Sequence, residues 1–193
     1  MRLLFVSAFI VIVDQVTKLL VKGLPLLNLT GVQPGRKVPV MGNIFGITLV
    51  ENPGIAFGIN FGPQFKLVIS IFTLVASIGL FIFLFRIRNK SFGLRFSIAL
   101  ILGGAVGNLI DRLFYGLIYG YAPLFHGKVV DFFNIQLFNI YLFNNTMGSY
   151  IFNTADLSVT IGMVFLLFAI RKQHKEQEAG SPAVGSLLIK GKE

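Results

Sequence analysis

The sequence predicts an all-α membrane protein with four transmembrane helices, a small extracytoplasmic β-sheet and an interfacial helix or loop. Of the 193 residues, 54% are hydrophobic and only 13% are charged, whereas a soluble domain carries about 25% charged residues. A helix needs about 20 apolar residues to cross the hydrocarbon core, and four separate segments have this length and composition. Lysine and arginine lie in short clusters between these segments, as in multi-pass membrane proteins.

The four predicted spans cover residues 3–21, 67–85, 96–114 and 150–170. No cleavage site of small residues follows the first span, which contains Asp14 and Lys18, so we interpret it as a retained helix and not as a removed signal peptide. In the third span Ala99, Gly103 and Gly107 form a stripe of small residues at a spacing of four. Such a stripe allows close helix packing, and we therefore expect the third span to be central in the bundle.

The charge pattern predicts an orientation. The basic residues beside the spans are Arg2, Arg86, Arg88, Lys90, Arg95, Arg171, Lys172 and Lys175. Four spans put all of them on one side, so the positive-inside rule predicts that both termini are cytoplasmic and that the connections 23–65 and 115–149 lie outside. Residues 1–172 are then one membrane domain, and the polar tail 173–193 is predicted to be disordered in the cytoplasm.

The two outer connections differ in composition. The first contains several prolines and glycines, and between them residues 37–41 and 44–50 have the pattern of short strands. We therefore expect a small sheet on the membrane surface. The second is rich in Phe, Tyr, Ile and Asn and predicts amphipathic structure lying in the interface.

The acidic residues are few, and their predicted distribution across the membrane is asymmetric. Three of the eight, namely Glu176, Glu178 and Glu193, are in the tail. The other five are Asp14, Glu51, Asp111, Asp131 and Asp156, and the four-span topology places all of them outside or in the outer half of the membrane. A charge within a span costs about 2.5–3.5 kcal/mol on insertion scales, so such residues are either paired or functional.

Three of these five acids are interpreted without a catalytic role. Asp14 and Lys18 are four residues apart, share a helix face and are interpreted as a structural pair. Asp111, which shares a helix face with Asn108 and Arg112, is interpreted as a structural or orienting residue. Glu51 is interpreted as a solvated loop residue.

Asp131 and Asp156 are each as consistent with a functional role as with a structural one. Asp131 stands in an apolar stretch with no cation immediately beside it. Asp156 opens the fourth span, where it could be only a residue that caps the helix.

Most hydrolytic chemistries are disfavoured. The absence of cysteine excludes disulfides, thiolate metal sites, a cysteine nucleophile and lipidation of the chain itself. No G-x-S-x-G, H-E-x-x-H or P-loop motif occurs, and His126 and His174 are the only histidines. The net charge of +9 lies in clusters between apolar runs and not on a face that would bind nucleic acid. Carboxylates remain, and two that share a proton can hydrolyse a peptide without metal or cofactor.

Five motifs in order identify a family resemblance. They are D-Q-V-T-K at 14–18, N-P-G-I-A-F-G at 52–58, G-G-A-V-G-N-L-I-D-R at 103–112, V-V-D-F at 129–132 and F-N-T-A-D at 152–156. With these motifs the chain resembles, over residues 1–170, the lipoprotein signal peptidases, the type II signal peptidases of bacteria. The segment between Asp131 and Asp156, with its apolar stretch Asn134–Tyr150, is longer than is usual in that family.

The resemblance implies a complete site and substrate. Asp131 and Asp156 would be the catalytic aspartates of an enzyme of the bacterial inner membrane. It would cut diacylglyceryl-modified prolipoproteins just before the lipidated cysteine, with its active site near the outer face. The resemblance also implies contact with membrane lipid and inhibition by cyclic peptides of the globomycin type.

The same resemblance implies roles for further residues. Those that would bind substrate or line the site are Asn52, Gly54, Asn108, Arg112 and Asn153. Those that would hold the helices in register are Asp14, Lys18 and Asp111. The sheet around Asn52 would cradle the substrate, and part of 115–149 would cover it as a lid.

Two alternatives are kept. Intramembrane acids and glycine-rich helices also occur in small proton-coupled transporters, although the chain has no internal repeat and its acids lie towards one side. A non-catalytic membrane scaffold that binds lipidated proteins is the other alternative. Flux without peptide cleavage would favour the transporter, and tolerance of Asp131→Asn would favour the scaffold.

Overall fold

The computed structural model describes residues 2–54, 63–142 and 145–180, and within them four helices are long and apolar enough to cross a membrane. These helices are α1 (Leu4–Lys22), α2 (Pro63–Arg86), α3 (Phe92–Ile110) and α5 (Thr154–Gly180). Helix α3 continues through a π-helical turn, Asp111–Tyr115, into the short α4 (Gly116–Ile118), so that the apolar stretch reaches from Phe92 to Ile118. The prediction of four membrane-spanning helices is confirmed.

Among the described residues, the segments that connect the helices form two antiparallel sheets. The strands are β1 (Gly23–Leu24), β2 (Leu29–Thr30), β3 (Lys37–Met41), β4 (Phe45–Asn52), β5 (Val129–Leu142) and β6 (Asn145–Phe152). Strands β1 and β2 form a short ribbon, and the other four form one sheet in the order β3-β4-β5-β6. The strands predicted at 37–41 and 44–50 correspond to β3 and β4, and the expected small sheet is therefore confirmed.

The second long connection of the sequence analysis, 115–149, contains strands that the sequence did not predict. Where an interfacial helix or loop was predicted, its second half forms the β5–β6 pair, which takes in residues 134–142 and 145–150. The physical reason is that β4 offers an unpaired edge, and valine, isoleucine and aromatic residues fit a strand that pairs with it.

Both ends of the last helix also differ from the prediction. The helix begins at Thr154 and not near 150, because 145–152 are taken up by β6. It continues to Gly180, past the predicted start of the tail at 173, because Lys, Gln, Glu and Ala favour helix and neither glycine nor proline occurs from 171 to 179. The remaining tail residues, 181–193, lie outside the described residues, as do residues 55–62 with the end of the second motif.

Helix α3 is central, as its small-residue stripe predicts. Half of its apolar window is buried, against 22% or less for the other three helices, and it packs against α1, α2 and α5. A Cβ at Gly103 would lie 2.8 Å from Ile10 Cβ on α1. A Cβ at Gly104 would collide with the carbonyl oxygen of Ala155 on α5. Glycine thus allows α1 and α5 to approach α3 from two sides.

An apolar cluster joins the four-stranded sheet to the helix bundle. It consists of Val21, Leu49, Tyr115, Val130 and Phe132, which come from α1, β4, the π-helical turn and β5. All five side chains are at most 8% exposed. Burial of aliphatic and aromatic side chains stabilises such a junction by about 1.5–3 kcal/mol per residue. The sheet is therefore held at the end of the bundle where α1 ends and α5 begins.

Candidate active site

The pairing of β4 with β5 brings Asn52 beside Asp131. Asn52 lies opposite Val129, and Val50 lies opposite Asp131, so Asn52 and Asp131 are diagonal neighbours on one face of the sheet. The Asn52 Nδ2 donates to Asp131 Oδ2 at 3.2 Å. The backbone N–H of Gly54 donates to Asn52 Oδ1 at 2.9 Å, and this bond turns the NH2 group of Asn52 toward the carboxylate. Gly54 has φ +92°, which favours glycine.

The start of α5 fixes Asp156. The backbone N–H of Asp156 donates to Asn153 Oδ1 at 2.9 Å, and the backbone N–H of Asn153 donates to Asp156 Oδ2 at 3.2 Å. This reciprocal pair is the capping-box arrangement, in which the side chains satisfy two N–H groups at a helix start. Asp156 is therefore both a residue that caps the helix and a half-buried carboxylate at its N-terminus.

Two asparagines connect the aspartates. Asn153, which is fully buried, donates through Nδ2 to Asp131 Oδ1 at 2.7 Å and to Asn108 Oδ1 at 3.0 Å. Asn108 Nδ2 donates to Asp156 Oδ1 at 2.8 Å. Asn153 thus reaches both carboxylates, one by its side chain and one by its backbone. The structure brings Asn52, Asn108 and Asn153 together around the two aspartates.

Lys18 sets the orientation of Asn108. Its Nζ donates to Asn108 Oδ1 at 2.9 Å, so the NH2 group of Asn108 faces Asp156. The same Nζ forms ion pairs with Asp14 at 2.7 Å and with Asp111 at 2.8 Å, and all three charged side chains are 0% exposed. Asp111 therefore pairs with Lys18 on α1, and this pair links α1 to the end of α3.

The buried charges also hold the two chain segments that carry the candidate aspartates. Asp14 Oδ1 accepts from the backbone N–H of Ala155 at 2.9 Å, next to Asp156. Asp111 Oδ2 accepts from the backbone N–H of Val130 at 3.1 Å, next to Asp131. The three charged residues predicted to maintain helix register thus also contact the backbone beside each aspartate.

Gln15 and Tyr115 also belong to this network, although no role was predicted for them from the sequence. Gln15 Nε2 donates to Asp111 Oδ1 at 2.9 Å and to the carbonyl oxygen of Gly107 at 3.1 Å. The buried Tyr115 donates its hydroxyl proton to Gln15 Oε1 at 3.2 Å. Gln15 could have been found from the D-Q-V-T-K motif, whereas nothing in the sequence marks Tyr115.

Asp131 has an unusual protonation equilibrium. The residue is only 5% exposed. The pKa of Asp131 is raised to about 7, mainly by burial and next by the negative charge of Asp156, while the hydrogen bonds from Asn52 and Asn153 act in the opposite direction. Desolvation disfavours a carboxylate, and a second carboxylate nearby has the same effect. Near neutral pH, Asp131 can therefore carry a proton.

Arg112 lies at the edge of the site. Its guanidinium NH1 donates to the carbonyl oxygen of Asn108 at 3.1 Å, and the residue is half-buried. It therefore supports the helix end that presents Asn108 to Asp156. Among the described residues, all the site positions expected from the sequence lie in or against this one network.

Glu51 is not the solvated loop residue that the sequence suggested. It lies in β4, and its carboxylate accepts from Lys22 Nζ at 2.6 Å and from Lys128 Nζ at 3.0 Å. Burial alone would raise the pKa of Glu51, but the hydrogen bonds and charges of the two lysines outweigh it and lower this pKa. The prediction was wrong because both partners are distant in sequence.

Comparison with known proteins gives consistent matches over most of the chain. The family model for signal peptidase (SPase) II matches residues 6–172. A lipoprotein signal peptidase of Chlorobium phaeobacteroides (strain BS1) is 34% identical over 86% of this chain and 94% of that protein. A lipoprotein signal peptidase of Moorella thermoacetica is 30% identical over 92% of this chain and 97% of that protein.

Solved structures agree with the fold. A bacterial membrane enzyme determined by the in meso method at 2.3 Å resolution aligns with a TM-score of 0.62 and 28% identity, over 94% of each chain. A second such enzyme, determined at 1.9 Å, aligns with a TM-score of 0.56 and 30% identity, over 88% of this chain and 92% of that one. Together with the family match, these likenesses show that the chain is a multi-pass membrane peptidase and belongs to the signal peptidase II family.

Proposed function

We propose that this enzyme removes signal peptides from diacylglyceryl-modified bacterial prolipoproteins by cutting just before the lipidated cysteine, with Asp131 and Asp156 as its catalytic pair. The observation that carries this proposal is the connection of the two carboxylates through Asn153. Two carboxylates at one site suit acid–base hydrolysis of a peptide. The relatives named lipoprotein signal peptidase support the substrate class.

The position of the site suits such a substrate. Asp156 lies at the start of α5 and Asp131 in the sheet docked on the same end of the bundle, while the basic turn between α2 and α3 is at the opposite end. By the positive-inside rule, both termini are then cytoplasmic and the site is near the outer face of the inner membrane. The scissile bond of a prolipoprotein, just outside its signal helix and beside two acyl chains, would arrive at this depth.

The environments of the two aspartates differ and favour one division of roles. Asp156 accepts hydrogen bonds at a helix N-terminus, where the helix dipole and the capping box stabilise a carboxylate. Asp131 lies on a buried strand without such a dipole and, with its raised pKa, retains a proton near neutral pH. Asp156 is thus suited to be the base and Asp131 the acid of the pair.

Hydrolysis then follows from these roles. Asp156 takes a proton from a water molecule whose oxygen attacks the scissile carbonyl carbon, and Asp131 donates its proton to the carbonyl oxygen. When the carbonyl re-forms, the proton returns to Asp131. The C–N bond breaks as Asp156 gives its proton to the leaving nitrogen. The products are a signal peptide with a new carboxyl end and a lipidated cysteine with a free α-amino group.

The remaining site residues fit roles around this pair. Asn52, Gly54, Asn108, Arg112 and Asn153 would bind substrate or support the aspartates, and the sheet around Asn52 would cradle the substrate. Membrane lipid would surround the site, and cyclic peptides of the globomycin type would compete for it. The part of 115–149 that pairs as β5 would lie beside the substrate as a cover.

The substrate assignment is tested with two forms of one prolipoprotein, diacylglyceryl-modified and unmodified at its cysteine. Purified protein in detergent is expected to cut only the modified form, with the new N-terminus at the lipidated cysteine when the product is analysed by mass spectrometry. Recognition of the acyl chains predicts this difference. Equal cutting of both forms, or cutting of neither, would overturn the proposed substrate.

The pH dependence of cleavage should follow the ionisation of the Asp131 carboxyl group. Because the reaction needs Asp131 protonated, kcat/KM is expected to fall as pH rises through about 7, where this group ionises in the free enzyme. The groups that act on it are Asp156, Asn52, Asn153 and, at longer range, Lys18. Since the Asn52 hydrogen bond lowers the pKa of Asp131, Asn52→Ala should move the fall in activity to higher pH.

The measurement is kcat/KM with one lipidated peptide from about pH 5 to about pH 9, a range that brackets the transition. The wild type and Asn52→Ala are compared in the same detergent. A wild-type profile that stays flat up to the highest pH would contradict the assignment of Asp131 as the acid.

A further inference from the structure

A polar cluster outside the catalytic network joins three elements of the fold, and we call it the Glu51 clamp. It consists of Glu51, Lys22, Lys128 and Tyr119. Lys22 is the last residue of α1, Glu51 lies in β4, and Lys128 directly precedes β5. The carboxylate of Glu51 receives one lysine on each oxygen, Lys22 on Oε1 at 2.6 Å and Lys128 on Oε2 at 3.0 Å.

Aromatic rings hold Lys22 in place. Its Nζ lies 3.8 Å from the centroid of the Tyr119 ring and 5.1 Å from that of Tyr121, distances at which a cation is attracted to a ring face. The Tyr119 hydroxyl donates to the carbonyl oxygen of Gly23 at 2.7 Å, which ties this ring to the end of α1. The Lys22 side chain is only 7% exposed. Its ion pair with Glu51 is therefore better shielded from water and salt than a surface pair.

The clamp is next to the catalytic network through the backbone of one strand. Glu51 lies opposite Val130, and Asn52 lies opposite Val129, in the β4–β5 ladder. Successive side chains of a strand point to opposite faces. Glu51 therefore faces the end of α1 while Asn52 faces Asp131, so that a change in the position of one moves the other.

We propose that the Glu51 clamp is a positioning device for the reaction, which holds β4 so that Asn52 keeps its hydrogen bond to the carboxylate of Asp131. The proposal rests on the proposed function, because it concerns the geometry of the catalytic pair. Glu51 itself touches neither aspartate and is a positioning residue. The Asn52–Asp131 bond, at 3.2 Å, is longer than the Asn153–Asp131 bond at 2.7 Å, so a small shift of β4 is enough to break it.

The test compares four single variants of the full chain in detergent. Glu51→Gln keeps the shape of the side chain and removes its charge. Lys128→Met keeps the aliphatic part of the side chain and removes the ion pair between Lys128 and Glu51. Lys128→Arg restores a cation and should rescue activity. Lys37→Met is the control, because Lys37 contacts Gln136 and the carbonyl oxygen of Asn43 on the same sheet without reaching Glu51.

Glu51→Gln is expected to lower kcat about five-fold while KM changes by less than about two-fold, because positioning acts on the transition state more than on substrate binding. Lys128→Met should show a smaller loss of the same kind, and Lys37→Met none. In an Asn52→Ala background, Glu51→Gln should lower kcat by less than about two-fold, because residues that act through one contact are not additive. An equal loss in both backgrounds, or a rise in KM alone, would overturn the proposal.

A second measurement does not depend on cleavage. Hydrogen exchange of the backbone amides of residues 50–52 should become about ten-fold faster in Glu51→Gln than in wild type, because local opening is governed by nearby contacts. Exchange in the control Lys37→Met should not change there. If the wild type does not cut the prolipoprotein, exchange still tests the clamp. Unchanged exchange in Glu51→Gln would refute the clamp even if the enzyme is active.

Discussion

Asp131→Asn and Asp156→Asn should each lower cleavage of a diacylglyceryl prolipoprotein by about 10³-fold or more, because a carboxamide can neither donate the required proton nor accept one from water. The two losses should not multiply in the double variant, since the two groups act as one catalytic unit. The measurement is the single-turnover rate of cleavage by purified protein in detergent.

Folding must be measured in the same samples. An asparagine at 131 directs its NH2 group at one of the two NH2 donors that now approach Asp131, from Asn52 and Asn153, so some loss of stability is expected as well. Thermal unfolding separates that loss from the loss of chemistry. Glu176→Gln, which neutralises another acid of α5, is the matched control and should cut at the wild-type rate. Cleavage by a folded Asp131→Asn would show that the pair is wrongly assigned.

Lys18→Met should give the largest loss of stability of any single substitution considered. Lys18 is the shared ion-pair partner of Asp14 and Asp111, and all three side chains are 0% exposed. Removal of one partner from a buried ion pair costs about 3–5 kcal/mol, because the remaining charge keeps its desolvation penalty. Here two buried carboxylates would lose the same cationic partner at once.

The stability prediction is measured as the thermal unfolding midpoint in detergent, with Lys37→Met as the control for removal of a lysine that is not fully buried. A further arm, Lys18→Met with Asp111→Asn, removes one of the stranded charges and should recover part of the loss. An unfolding midpoint of Lys18→Met equal to that of the wild type would mean that the buried ion pairs contribute little to the fold.

The sequence predicted the elements of this fold better than their contacts. The four helices and the strands at 37–41 and 44–50 follow from local composition and from the glycines and prolines that end each segment. The β5–β6 hairpin was missed, because its pairing depends on the edge of β4, which is distant in sequence. Periodicity along one segment carries no information about such an edge.

At the candidate site, too, the sequence predicted residues better than the contacts between them. The five motifs contain the aspartates and asparagines of the network, but they contain neither Tyr115 nor the hydrogen bonds that join Asn108 to Asp156 and Asn52 to Asp131. The role of Glu51 was misjudged for a related reason. An isolated acid in a loop-like stretch suggests a solvated side chain, and its two lysine partners are brought to it only by the folded sheet.

Asparagine side chains surround Asp131 and Asp156, and this choice of residue has a consequence for how the proposed site responds to pH. A carboxamide has a fixed donor end and a fixed acceptor end and does not titrate, in contrast to histidine or a further carboxylate. Asn52, Asn108 and Asn153 therefore present the same hydrogen bonds to the aspartates in acidic and in alkaline surroundings. In the proposed orientation the site faces a medium that the cell does not buffer, and the three amides hold their hydrogen bonds there whatever the external acidity.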